Sequence, residues 1–138
     1  MSIAFIFPGQ GGQYIGQGQA WAEADPSIKA LFELADDICE RPISKLCFEG
    51  PMEELSKTVN LQPAVLTVSL AALRKMQAEK GRPDFAAGHS LGEFGALVAA
   101  AVFDEKTALQ LVAQRSAIMD EMAGTNPRAL LAVMGPPA

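Results

Sequence analysis

Histidine is almost missing from this 138-residue chain, where His89 stands alone. One imidazole excludes a His-rich metal site and leaves any serine nucleophile with at most one candidate base of that type. Cysteine is scarce too. Cys39 and Cys47 form no C-x-x-C, so neither a zinc knuckle nor a dithiol redox motif is present, and both are expected as reduced, partly buried thiols. Positive charge is in the minority: 11 Lys and Arg stand against 16 Asp and Glu, a formal charge of −5. That balance opposes a nucleic-acid binder, which needs a basic face for phosphates. Long apolar runs are absent. The longest, residues 96–103, falls far short of the roughly 20 that cross a bilayer. Residues 1–7 lack the basic lead of a signal peptide. These absences leave a soluble, cytoplasmic protein with no nucleic-acid or membrane partner as the expectation.

What is present suits one folded domain with a sizeable core, with 49% apolar and 20% charged residues. Residues 3–7 form a β-branched and aromatic run ended by Pro8-Gly9, which reads as a buried strand. A helix opens at Asp25-Pro26 and runs through Leu31, Phe32, Leu34 and Ile38. Gly50-Pro51 sets apart a short segment over 52–55. Asn60 is placed to cap a longer helix with Pro63 in its first turn, ending near Gly81. That helix is apolar nearly all round at first and basic at its end, with Arg74, Lys75, Lys80 and Arg82 following closely. Residues 84–87 read as a second inner strand, followed by an Ala-rich helix to about Val102. Asp104 caps a last helix reaching about Ala123, residues 124–127 read as a linker, and 129–134 as a third strand. Strands alternating with helices predict an α/β fold with a parallel sheet. The third strand has no later partner in the chain, which a domain boundary or a truncation near residue 125 would explain.

The chemistry concentrates at Gly88-His89-Ser90-Leu91-Gly92. A G-x-S-x-G between strand and helix is the context of a nucleophile elbow, with Ser90 lifted clear of the backbone and helix N–H groups near a developing oxyanion. The bland alternative is a glycine-flanked turn whose serine merely caps the helix. His89 leaves the strand on the side opposite its neighbour, so it is expected behind the elbow, in a structural hydrogen bond rather than as the base of Ser90. Glu93 lies in the following turn with no relay to the serine. The loop Pro8-Gly9-Gln10-Gly11-Gly12-Gln13 is not a dinucleotide fingerprint, because Tyr14 stands where the third glycine belongs. It remains a flexible loop whose amides could face a ligand, or a plain βα turn. On the last helix, Ala108, Leu111, Val112, Ile118, Met119 and Met122 form an apolar stripe with Arg115 on its centre line. An inward arginine needs an anionic partner: either an internal carboxylate, or a substrate carboxylate gripped by the guanidinium fork.

Taken together, Phe7-Pro8-Gly9-Gln10-Gly11-Gly12-Gln13, Gln62-Pro63-Ala64, Gly88-His89-Ser90-Leu91-Gly92-Glu93 and Arg115 resemble the malonyl-CoA:acyl-carrier-protein transacylases over the full length of the chain. The resemblance implies an α/β-hydrolase-like core over 1–124 and, over 125–138, a linker and the first strand of an inserted ferredoxin-like subdomain. It implies that Ser90 takes malonyl from coenzyme A as an ester and passes it to the phosphopantetheine thiol of acyl carrier protein, with no bound cofactor or metal. The N–H groups of Gln10 and Leu91 would form the oxyanion hole, Arg115 would bind the malonyl carboxylate, and Gln62 would line the site. Members of that family are about twice as long and draw their general base from a histidine in the second half, which no residue here matches. The chain is therefore expected to be the N-terminal part of such an enzyme, impaired alone and prone to dimerise or swap elements. Two other readings stay open: a serine hydrolase or thioesterase using the same elbow, and a non-catalytic fragment meeting the acidic carrier protein through its 74–82 basic cluster.

Overall fold

In the computed structural model, which describes residues 2–125, the first apolar run is strand β1 (Ala4–Phe7). It pairs in parallel with β2 (Phe85–Gly88), in a register that sets Ala4 against Phe85 and Phe7 against Gly88. Side chains alternate across a strand, so Phe5 and Phe7 turn into the core while Ile6 is left 80% exposed on the outer face. Phe85 is exposed on β2 as well. Helices fill the crossover between the strands, giving the α/β class with a parallel sheet that the alternation of elements predicts.

Five helices make up that crossover: α1 (Gln19–Ala24), α2 (Pro26–Cys39), α3 (Ile43–Phe48), α4 (Met52–Leu55) and α5 (Thr58–Lys80). Asp25 caps α2 by accepting from the Ser27 N–H at 2.8 Å, with Pro26 in the first turn as expected. The chain pattern misses α1 and α3. Neither has a side-chain cap of its own. At the start of α3 the cap comes from α2 instead: Asp36 accepts from the Ser44 N–H at 2.7 Å and from its hydroxyl at 2.5 Å.

The expected Asn60 cap is corrected. The N–H groups of Asn60 and Leu61 already donate to the Lys57 carbonyl, so α5 begins three residues earlier. Asn60 lies inside the first turn and donates its amide to the Glu54 carbonyl at 2.8 Å, tying α5 to α4. Pro63 is then interior to the helix rather than at its mouth. Gly81 ends the helix at φ 77, as predicted.

Helix α5 is the hub of the core, packing against α2, α3 and, beyond β2, α6 (Gly92–Ala99) and α7 (Glu105–Thr125). Its Ala64, Leu66, Leu70 and Ala71 are buried with Ile28, Leu31 and Phe32 of α2 and with Leu109 and Val112 of α7. Phe32 and Phe48 stack tilted with centroids 4.8 Å apart. Arg74, read from the sequence as part of the basic end of this helix, is a tie between three helices. It grips both carboxylate oxygens of Glu105 on α7 and donates to the Ser27 carbonyl on α2 at 2.6 Å. Both cysteines are free thiols, and burial pushes Cys39 up to about 11 and Cys47 up to about 12.

Helix α6 stops at Ala99, short of the predicted Val102, because Ala101 takes a positive φ of 58. Asp104 caps α7 as expected, accepting from the Thr107 N–H at 2.7 Å. The helix continues through Thr125, so the first two residues of the predicted linker, Gly124 and Thr125, are helical. The rest of that linker, the strand over 129–134 and the ferredoxin-like segment after Thr125 lie outside the described residues. No helix among the described residues is long and apolar enough to cross a membrane.

Candidate active site

Parallel pairing puts the carboxyl ends of β1 and β2 side by side, and ligands of parallel sheets bind where the loops leave those ends. Here the 8–13 loop and the 88–92 turn meet. The His89 N–H donates to the Phe7 carbonyl at 3.2 Å, and a Cβ added to Gly9 would stand 3.0 Å from His89 Nδ1. The imidazole therefore lies over Gly9. The side chain is exposed and makes no hydrogen bond to another side chain or carbonyl among the described residues, so the expected structural hydrogen bond is not found.

The turn is tight for two separate reasons. Ser90 itself carries φ 54, the left-handed conformation that L residues seldom adopt. The flanking glycines serve space. A Cβ on Gly88 would fall 2.1 Å from the Gly92 carbonyl carbon, and one on Gly92 would fall 2.2 Å from the Phe7 carbonyl oxygen. Strand, turn and helix are thus pressed backbone to backbone, and Ser90 is thrust outward, exposed.

The N–H groups at this turn divide into used and unused. Those of Gly92, Glu93 and Phe94 donate to the carbonyls of His89, Ser90 and Leu91 at 2.9, 3.1 and 3.2 Å. The N–H of Leu91 donates to no acceptor among the described residues, and neither does that of Gln10 on the facing loop. Glu93 is exposed and makes no capping contact with the turn.

Helix α7 brings in the cation. Its buried face is Ala108, Leu109, Val112 and Ser116, while Leu111, Ile118, Met119 and Met122 of the predicted stripe are exposed. Arg115 is consequently half-buried at the border of the covered face, not on its centre line. Its two terminal nitrogens donate to Ser90 Oγ at 3.3 Å and to Gln62 Oε1 at 2.5 Å. Gln62, fully buried on α5, in turn donates through Nε2 to Met119 Sδ at 3.2 Å and to Gln10 Oε1 at 3.4 Å. Ser90, Arg115, Gln62 and Gln10, drawn from four separate elements, thus share one hydrogen-bonded chain. No carboxylate partners Arg115 among the described residues, which leaves its charge available to an anion. Sequence reasoning missed Met119 as a polar partner, since a methionine on an apolar stripe carries no outward sign of accepting a hydrogen bond.

An exposed serine beside a guanidinium and two unused backbone donors can accept an acyl group whose far end is anionic. Comparison with known proteins narrows the field. Residues 4–135 match the family described as the acyl transferase domain. The malonyl CoA-acyl carrier protein transacylase of Bacillus subtilis (strain 168) is 47% identical over 133 residues, covering 96% of this chain and 42% of that protein. The polyketide biosynthesis malonyl CoA-acyl carrier protein transacylase PksC of the same strain is 42% identical over 134 residues, 96% of this chain and 44% of its own length. Among solved structures, a malonyl-transacylase in complex with its type II PKS acyl-carrier protein superposes with a TM-score of 0.80 at 43% identity, covering 88% of this chain and 40% of that one. The chain spans about two fifths of the length of these relatives.

Proposed function

Since the chain belongs to the acyl transferase domain family, we propose that it carries the nucleophile and the carboxylate clamp of a malonyl-CoA:acyl-carrier-protein transacylase. Ser90 Oγ attacks the thioester carbonyl of malonyl-CoA, the carbon–sulfur bond breaks, and coenzyme A leaves as the thiol. The malonyl ester on Ser90 is then attacked by the phosphopantetheine thiol of acyl carrier protein, which regenerates the serine in a ping-pong cycle. The unused N–H groups of Gln10 and Leu91 receive the oxyanion of each tetrahedral intermediate. Arg115 receives the malonyl carboxylate.

The observation that carries this reading is the Arg115–Ser90 contact at 3.3 Å. A simple thioesterase has no use for a cation with no carboxylate partner at its serine, whereas a donor ending in a carboxylate does. The basic-cluster reading is weaker, because Arg74 is engaged by Glu105 and Ser27. The general base is assigned to the part of the relatives that this chain does not span, since His89 lies over Gly9. Residues 1–138 alone are accordingly expected to be slower by about a hundredfold or more, the usual weight of a general base. We place the reaction in the cytoplasm, on soluble thioester and carrier protein.

Incubation of the complete gene product with malonyl-CoA should leave a malonyl adduct on Ser90, seen by intact mass and peptide mapping, and Ser90→Ala should abolish it. Arg115→Ala should lower the malonyl-over-acetyl preference by about ten- to a hundredfold, the weight of a charge-assisted pair. Equal labelling of the wild type by malonyl-CoA and acetyl-CoA would sink the carboxylate role.

A further inference from the structure

Gln62 presents an orientation problem that its neighbours must solve. A primary amide offers a carbonyl acceptor and two N–H donors of nearly the same shape, so its surroundings decide which end goes where. Gln62 is fully buried, so water does not help. A guanidinium has donors only, and the 2.5 Å contact with Arg115 is productive only when Gln62 Oε1 faces it. The Nε2 group must then find acceptors, and both are side chains: Met119 Sδ at 3.2 Å and Gln10 Oε1 at 3.4 Å. The sulfur is the nearer of the two. Met119 also stands one helical turn from Arg115 on α7, the spacing that puts two side chains on one face. The same face thus supplies a donor for one end of the amide and an acceptor for the other. In the reversed amide, N–H would meet the guanidinium and the carbonyl would meet the lone pairs of sulfur, two repulsions for two attractions.

We propose that Met119 is a positioning residue for the carboxylate site: its thioether accepts from Gln62 Nε2, holds the amide with its carbonyl toward Arg115, and so aims the guanidinium at the anionic end of the acyl donor. The inference rests on the reading that Arg115 receives that carboxylate. It goes beyond that reading in giving selectivity a second determinant that acts through Gln62.

Met119→Leu in the complete enzyme is the test, since leucine keeps the bulk and removes the lone pairs. The expected result is a malonyl-over-acetyl ratio of kcat/KM lower by about three- to tenfold, the weight of one hydrogen bond. The loss should fall on KM for malonyl-CoA more than on kcat, because the carboxylate is held equally in ground and transition states. Met119→Gln, which restores an acceptor oxygen at similar length, should recover most of the ratio. A merely structural methionine gives a different pattern, with both donors losing equally and the melting temperature falling, and that pattern overturns the proposal. So does a lost ratio that Met119→Gln fails to recover, because shape alone would then be the cause. A wild-type enzyme that acylates Ser90 but shows no preference for malonyl-CoA removes the role of Arg115, and with it the proposal. A wild type that fails to acylate Ser90 at all overturns the transacylase reading itself.

Discussion

Ser90 holds a left-handed backbone that costs a non-glycine residue on the order of 1–3 kcal/mol, a strain that persists only where the surroundings enforce it. The enforcement here comes from contacts that leave no room for a Cβ at Gly88 and Gly92. Gly92→Ala should therefore destabilise the protein by about 3 kcal/mol, the upper range for overpacking a core, as read from a urea melt. Gly12→Ala is the matched control, because an added Cβ there meets nothing within 4 Å and φ is not positive; its melt should stay within about 0.5 kcal/mol of wild type. A soft Gly92→Ala would show that the elbow can relax. The spacing G-x-S-x-G made the serine legible because the constraint is local. Which residue bears the strain was not, since it depends on the Phe7 carbonyl, far off in the chain. Arg115 was legible as a lone cation among apolar neighbours. Its true position at the border was hidden, because hydrophobicity does not reveal which part of a stripe another helix covers.

Long elements with their own signals read correctly from the chain. Helix α2 has Asp25 and Pro26, and α7 has Asp104, each with a hydrogen bond where the pattern puts it. Elements stabilised by neighbours did not: α3 borrows Asp36 from α2, and α5 extends back to Thr58, with Asn60 tied to α4. The Arg74–Glu105 pair belongs to this second kind, because the two residues lie on helices that only the fold brings together. It is partly shielded, with the side chains 33% and 23% exposed, so it should count for more than a surface pair. Glu105→Ala, which strands the guanidinium against the Ser27 carbonyl, should lower stability by about 1–3 kcal/mol. The Arg74→Met/Glu105→Leu double variant should recover part of that loss, since replacing both partners by apolar groups leaves no charge uncompensated. Chemical denaturation of the two variants checks both statements, and a single-site effect no larger than experimental scatter would reduce the pair to a surface contact.

Across the whole molecule, the described sheet has two strands, and isolated pairs of strands are marginal without cover on both faces. The inner face is covered by helices. The outer face shows Ile6 at 80% and Phe85 at 65% exposure, and a groove of about 390 Å³ runs along β1 beside Val68, Leu73 and Met76 of α5. Residues 1–138 expressed alone should therefore associate in a concentration-dependent way, seen by sedimentation velocity. Ile6→Lys should shift the population toward monomer. A monomer across the full concentration range would show that this face tolerates water.

The register of the sheet has a bearing on time as well as on shape. Ala4 and Phe85 are 81 positions apart, and the Phe7–Gly88 pairing that seats the elbow is equally distant along the chain. Contacts of such long reach close slowly, after local helices are in place. The serine hydroxyl should thus acquire its strained presentation, its facing loop and its cation late in folding, so an emerging chain is expected to carry Ser90 long before it carries the geometry around it.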